Sequence, residues 1–113
     1  MSEDKLVVLW TSGDREVAIN MMFMYIKNSI KKNWWKEVNL IIWGPSAKLV
    51  AEDKEILKEL QESQDLGITV EACRACASNY EVVDKLEKLN VNVRYMGQPL
   101  TEYIKGQDEV ITF

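Results

Sequence analysis

The stretch Ile68-Thr-Val-Glu-Ala-Cys-Arg-Ala-Cys76 joins a predicted strand directly to a predicted helix. The apolar and β-branched side chains of residues 68–72 are typical of a strand. From about Arg74 to Leu89 the apolar side chains recur at helical spacing. A strand that passes straight into a helix is typical of a parallel sheet, because parallel neighbours need a crossover connection.

Strands and helices alternate along the rest of the chain in the same way. Further strands are predicted at residues 5–10, 38–43, 91–96 and 109–113, and further helices at about 15–30, 47–64 and 99–105. The helix over 47–64 is predicted as one or two segments, with Gly67 as a C-terminal cap. Five strands alternating with helices predict an α/β fold, with a mostly parallel sheet and helices on both faces.

Length and composition predict one globular domain over residues 1–113. The formal charge is −4, from 14 basic and 18 acidic residues, which argues against affinity for nucleic acid or for an anionic membrane surface. A local basic cluster is interpreted as the solvated end of a helix; it comprises Lys27, Lys31, Lys32 and Lys36.

The N-terminal sequence predicts a cytoplasmic protein. Met1 to Lys5 is polar and short, and the apolar run Leu6 to Trp10 is too short for a signal peptide and lacks a basic start. No apolar run approaches the length that crosses a membrane. Two cysteines without an export signal suggest a reducing compartment, where a close pair is more often reactive or metal-binding than structural.

The chain contains no histidine. A Ser-His-Asp or Cys-His catalytic site therefore cannot be built within it. Zinc normally takes four ligands, and the two cysteines supply only two, so neither a metal nor another cofactor is predicted.

Cys73 is the candidate catalytic residue. It follows a predicted strand and opens a predicted helix, where unpaired backbone N–H groups and the positive end of the helix dipole favour the thiolate. The nearby positive charge of Arg74 also favours the thiolate, whereas the negative charge of Glu71 disfavours it. Arg74 and Cys76 are therefore the predicted accessory residues.

Several interpretations of the cysteine pair stay open. Cys73 could carry sulfur as a persulfide, or the pair could be a dithiol–disulfide couple of the thioredoxin kind. A zinc site would require a metal shared between subunits. A structural role is the alternative for both cysteines, since cysteine is small and buries well, and it is favoured more for Cys76, because Tyr80 and Val83 share its apparent core stripe at helical spacing.

A pocket is predicted at the carboxyl ends of the strands, where ligands bind in open α/β sheets. The loop after the first strand lacks the spacing of a phosphate-binding P-loop, so nucleotide binding is not expected. The residues predicted to form the mouth of this pocket are Thr11, Ser12, Gly13, Gly44, Pro45, Ser46, Met96 and Gly97.

Several segments together resemble the DsrE-like (DsrE/DsrF-like) sulfur-relay family, and in particular its small, single-domain, uncharacterised branch. The resemblance covers nearly the whole chain. The matching segments are Val70 to Ala77, Leu86 to Val93, Tyr95 to Glu102 and Val110 to Phe113, with Leu6 to Gly13 and Ile41 to Ser46 in support.

The resemblance implies a flavodoxin-like, three-layer α/β/α domain that assembles as a homotrimer or homohexamer. It also implies that sulfur passes as a persulfide on a cysteine at the end of the third strand, which is the position of Cys73. Cys76 stands where some relatives have alanine, so the resemblance assigns it no role. Glu81 stands where a glycine is common in the family.

The leading functional hypothesis is a sulfur-relay protein that takes sulfane sulfur from a donor and passes it to an acceptor protein. The alternatives are a non-catalytic oligomeric protein that binds a small ligand or acts as an adaptor, and a Cys73/Cys76 dithiol redox protein. The sequence does not decide whether the protein is an enzyme.

Overall fold

The computed structural model describes residues 4–113; the first three residues of the predicted polar N-terminus lie outside this range. The strands are β1 (Lys5–Trp10), β2 (Glu37–Ile42), β3 (Thr69–Cys73), β4 (Asn92–Arg94) and β5 (Glu109–Thr112). The helices are α1 (Arg15–Val17), a π-helical segment (Ala18–Phe23) that continues into α2 (Met24–Lys31), α3 (Pro45–Glu52), α4 (Lys54–Asp65), α5 (Arg74–Asn79), α6 (Val83–Lys88) and α7 (Gly97–Lys105).

All five strands pair in parallel, in the order β4-β3-β2-β1-β5. Along the chain, β2, β3 and β4 are added in turn on one side of β1. The connection through α7 then places β5 on the other side of β1. The predicted flavodoxin-like arrangement of three layers around a parallel sheet is confirmed. The strand order, which the sequence left open, differs from the 2-1-3-4-5 order of flavodoxin itself.

The two faces of the sheet are covered unequally. The first face, which includes Leu6, Val8 and Trp10, packs against apolar side chains from α2 to α6 and from the π-helical segment. The second face, which includes Val7, Ile41 and Cys73, packs against Met96 and against Leu100 and Tyr103 of α7. Right-handed crossovers explain the difference, because they place helices on opposite faces when the direction of strand addition reverses.

The single helix predicted over residues 74–89 is wrong, because the structure divides it into α5 and α6. Glu81 adopts a left-handed conformation with φ of 58°. The N–H of Glu81 donates to Ser78 and that of Val82 donates to Ala77, over 3.1 and 2.9 Å. This is the Schellman arrangement that ends a helix, and it interrupts the apolar period that predicted one continuous helix.

The other helices follow the predicted pattern more closely. The region 47–64 is two helices, α3 and α4, and the side chain of Asp53 between them accepts from the N–H groups of Glu55 and Ile56. Gly67 follows α4 with φ of 92°, as expected of a C-terminal cap. No helix within residues 4–113 is long and apolar enough to cross a membrane.

Candidate functional site

Cys73 is both the last residue of β3 and the N-cap of α5. Its side chain lies on the second face of the sheet, in one buried cluster with Val7, Ile41 and Met96. Only 6% of Cys73 is exposed. The strand end therefore presents this thiol beneath the start of α7 and not to open solvent.

Cys76 lies one helical turn after Cys73 and is half-buried against the same cluster. Both cysteines are free thiols. Burial raises the pKa of the Cys76 thiol, the neighbouring Cys73 thiol raises it further, and the backbone N–H of Gly44 acts in the opposite direction. The two thiols and the loop after β2 therefore meet at one place.

The predicted core stripe of Cys76, Tyr80 and Val83 does not exist as a unit. Val83 packs on the first face of the sheet, whereas Cys76 packs on the second. Tyr80 is 37% exposed. The break between α5 and α6 separates these side chains, so Cys76 shares its environment with Cys73 and not with the larger core.

The guanidinium of Arg74 pairs with Glu87 of α6, at 3.9 Å between nitrogen and oxygen. Both side chains are largely exposed. Arg74 is next to Cys73 in sequence, and this ion pair engages its charge with another helix.

Several of the predicted pocket residues hold the strand-end loops together. Ser46 is fully buried, and its hydroxyl donates to the carbonyl of Trp10 over 2.6 Å. The same hydroxyl accepts from the N–H of Trp43 over 3.1 Å. Ser46 is therefore a structural tie between the ends of β1 and β2.

The loops after β1 and β2 are in close contact. A side chain at Gly13 would place its Cβ 3.1 Å from the Cβ of Pro45, which leaves little room for any larger residue. Gly44 has φ of 71°, a conformation that favours glycine. Thr11 donates to the carbonyl of Phe113 from its N–H and from its hydroxyl, over 2.7 and 3.0 Å.

The remaining predicted pocket residues follow β4 and β1. Met96, which is 1% exposed, belongs to the buried cluster around Cys73. Gly97 begins α7 and is exposed. The hydroxyl of Ser12 accepts from the N–H of Asp14, which fixes the loop after β1. The predicted residues thus lie along the expected edge of the sheet, and Met96 and Gly44 are the ones placed beside the cysteines.

A polar network beside Cys73 was missed in the sequence. Glu71 is 6% exposed and lies two residues before Cys73 on β3, so both side chains are on the second face. Its carboxylate accepts from Asn39 over 2.9 Å, from Tyr103 over 2.5 Å and from Arg94 over 2.5 Å. Burial raises the pKa of the Tyr103 hydroxyl, and its hydrogen bond to Glu71 raises it further. The sequence signal for this network is the presence of polar residues inside three predicted strands, namely Asn39, Glu71 and Arg94.

An open hollow of about 1050 Å³ lies at the opposite, amino-terminal edge of the sheet. The first residues of four strands line it, together with Asn39, Glu71 and Tyr103 from the polar network. None of the residues predicted to form the pocket lines this hollow. Within the described range 4–113, no group of three or more His, Cys, Asp or Glu side chains is placed to hold a metal ion.

The predicted basic cluster is partly neutralised. The ammonium group of Lys27 lies 2.9 Å from Glu59 and 2.7 Å from Glu62, both on α4. Lys27 therefore ties α2 to α4 and does not add to a free positive patch.

The chain is similar in structure to a conserved protein of unknown function, BT1422, from Bacteroides thetaiotaomicron. The two sequences are 44% identical over 97% of this chain and 95% of the other, with a TM-score of 0.95. Comparison with protein-family models and with curated proteins gives no match.

Two more distant structures share the fold. The ychN protein from E. coli is 15% identical over 97% of this chain and 99% of its own, with a TM-score of 0.73. A protein of unknown function from Methanobacterium thermoautotrophicum, MTH1491, is 15% identical over 98% of this chain and 100% of its own, with a TM-score of 0.78.

Proposed function

We propose that this chain, which belongs to the same family as BT1422 of Bacteroides thetaiotaomicron, carries sulfane sulfur as a persulfide on Cys73. The observation that carries the proposal is the position of Cys73. Its thiol lies at the carboxyl end of an inner strand, where open α/β sheets place their reactive groups, and beside a second free thiol.

The chemistry needs no metal or oxidant. The Cys73 thiolate attacks the outer sulfur of a donor persulfide, a new S–S bond forms, and the donor leaves as a thiolate. An acceptor thiolate then attacks the same outer sulfur and regenerates the Cys73 thiolate. Each step is a thiol exchange at sulfur, so its rate depends on the attacking thiolate and on the leaving group.

We further propose membership of the DsrE-like sulfur-relay family, a homotrimeric or homohexameric assembly, and a cytoplasmic location. The segments that resemble the DsrE-like family support the membership. The large apolar side chains that are exposed on the single chain support the assembly. Two free thiols suit a reducing compartment.

The test uses variants that each keep one cysteine, Cys76→Ser and Cys73→Ser. Each is incubated with stoichiometric glutathione persulfide and measured by intact-protein mass spectrometry. We expect Cys76→Ser to gain the mass of one sulfur atom and Cys73→Ser to gain none. If Cys76→Ser, shown to be folded by circular dichroism, gains no sulfur, the carrier function is wrong. The buried state of Cys73 would then favour the non-catalytic, ligand-binding alternative.

The closeness of two free thiols favours one second candidate, a dithiol redox protein. In that case a mild oxidant alone converts Cys73 and Cys76 reversibly into a disulfide. If both thiols of the wild-type protein remain open to alkylation after such oxidation, this candidate is excluded.

A further inference from the structure

The spacing of the two cysteines is compatible with a direct bond between them. Cys73 is the N-cap of α5, and Cys76 is its third residue. As the N-cap, Cys73 has an extended backbone with φ of −68° and ψ of 116°, and the side chain of an N-cap residue turns back over the third residue of its helix, which here is Cys76. A disulfide requires Cβ atoms about 3.5–4.5 Å apart, and the first turn of a helix has the fewest backbone hydrogen bonds to resist an adjustment to that distance.

The two thiols differ in how deeply they are buried. Cys73 is almost completely buried beneath Met96, whereas Cys76 is half-buried at the rim of the same cluster. A sulfur atom attached to Cys73 therefore has Cys76 as its nearest thiol. An acceptor protein has to reach the same atom past Met96 and the loop at Gly44.

We propose that Cys76 is the resolving thiol of the Cys73 persulfide and releases the carried sulfur as sulfide. The inference rests on the proposed function, since it needs the persulfide on Cys73. It adds an activity to the carrier, namely the conversion of sulfane sulfur into hydrogen sulfide. In this reaction the attacking thiol is a residue of the same chain and not an external acceptor.

The step balances without an oxidant. The Cys76 thiolate attacks the Sγ atom of Cys73, the bond from Sγ to the outer sulfur breaks, and the electron pair leaves with hydrosulfide. The products are a Cys73–Cys76 disulfide and one hydrosulfide ion, which takes up a proton according to the pH. Hydrosulfide is a good leaving group because low-pKa thiols leave faster in such exchanges.

A second reaction returns the protein to its starting state. The disulfide takes two electrons from a dithiol reductant, which becomes a disulfide itself. The full cycle therefore consumes one persulfide and one dithiol, and it yields one thiol, one sulfide and one external disulfide. A dithiol-disulfide oxidoreductase is the class of partner that supplies these electrons.

The experiment adds stoichiometric glutathione persulfide to the wild-type protein without reductant and measures free sulfide and intact mass together. We expect the wild type to release one equivalent of sulfide and to end two hydrogens lighter, with both cysteines closed to alkylation. Cys76→Ser is expected to release no sulfide above the protein-free control and to retain its added sulfur.

A matched control keeps two thiols but changes their spacing. The double variant Ala75→Cys/Cys76→Ser moves the second thiol to an exposed neighbouring position, and residues two apart on a helix do not face each other. It is expected to retain sulfur like Cys76→Ser. Circular dichroism of each variant shows whether it is folded.

The outcomes separate the two proposals. If Cys76→Ser holds a sulfur adduct and the wild type holds an equally stable adduct without releasing sulfide, the carrier stands and the resolving role of Cys76 is wrong. If Cys76→Ser, shown to be folded, gains no sulfur, the carrier function fails and the resolving role fails with it. Sulfide release from the spacing control at the wild-type rate also overturns the resolving role.

Discussion

Burial is the main influence on the pKa of the Cys76 thiol. Burial raises the pKa of its thiol, and Cys73 from β3 adds to the rise, while the N–H of Gly44 from the loop after β2 lowers it in part. Since a raised pKa favours the protonated form, Cys76 is mostly a thiol near neutral pH. A resolving thiol in this state leaves the persulfide time to meet an external acceptor.

The rate at which Cys76 is alkylated therefore depends on pH. Cys73→Ser, which keeps Cys76 as its single cysteine, is alkylated with iodoacetamide between about pH 6 and about pH 10, and the rate is followed by intact mass. Because burial raises the pKa of Cys76, we expect the rate to keep increasing through about pH 8.5, the ordinary value for a thiol. A rate that levels off near neutral pH would contradict a raised pKa at the attacking thiol.

The buried carboxylate of Glu71 depends on its three partner side chains. Removing the hydroxyl that donates to it, by Tyr103→Phe, leaves the charge with fewer partners in a buried site. We expect a loss of about 1.5–3 kcal/mol in the free energy of unfolding, typical of a hydrogen bond to a charged group. Urea denaturation measures it. Tyr95→Phe, at a side chain that is 71% exposed, is the matched control and is expected to change little.

Among the elements, α5 ends early, and this break separates Cys76 from the core residues of α6. Glu81 stops the helix in a left-handed conformation, and the chain then turns into α6, which packs on the first face. A residue with a side chain adopts this conformation at a cost of about 1 kcal/mol, whereas glycine adopts it freely.

Two substitutions at this position test the turn. Glu81→Gly is expected to leave the free energy of unfolding unchanged or to raise it by up to about 1 kcal/mol. Glu81→Val, with a β-branched side chain, is expected to lower it by more than about 1 kcal/mol. Thermal unfolding of both variants against the wild type measures the difference. Equal stability of the glycine and valine variants would show that the left-handed turn does not limit stability.

At the scale of the whole molecule, one face of the sheet is thinly covered. The helix α7 covers most of the second face, with Cys76 of α5 at the rim, and none of the residues of α7 is fully buried. Several large apolar side chains are also exposed, each by more than a third: Met21, Met24, Trp34, Tyr80, Tyr95, Ile104 and Ile111. Exposed apolar side chains favour association between subunits, because burial in an interface removes their apolar surface from water.

The DsrE-like resemblance implies a homotrimer or homohexamer, and we predict that these exposed side chains are covered in such an assembly. Light scattering after size-exclusion chromatography, at micromolar concentration, measures the mass directly. We expect three or six times the 13.1 kDa of one chain. The mass of a monomer at that concentration would contradict the predicted assembly. The proposals on the two cysteines would not be affected, because both cysteines belong to the same chain.

Much of the fold was accessible from the sequence. All five predicted strands are present, although β4 is shorter than the predicted 91–96, because Tyr95 and Met96 turn out of the sheet to begin α7. The helix over 74–89 was predicted wrongly, because propensity and apolar spacing do not show a single left-handed residue that ends a helix. The position of Cys73 at a strand end followed from the order of local patterns alone.

By itself, the sequence determined the elements, their alternation and the junction that bears Cys73, because these depend on side chains close together along the chain. Only the tertiary structure decided the strand order, the burial of Cys73, the network around Glu71 and the placing of Cys76 beside Cys73 on the second face. These features depend on contacts between residues that are far apart in the sequence. The hydrogen bond from Tyr103 of α7 to Glu71 of β3, for example, joins residues that are 32 positions apart. Such contacts depend on how the helices are distributed over the two faces of the sheet, which no local pattern specifies.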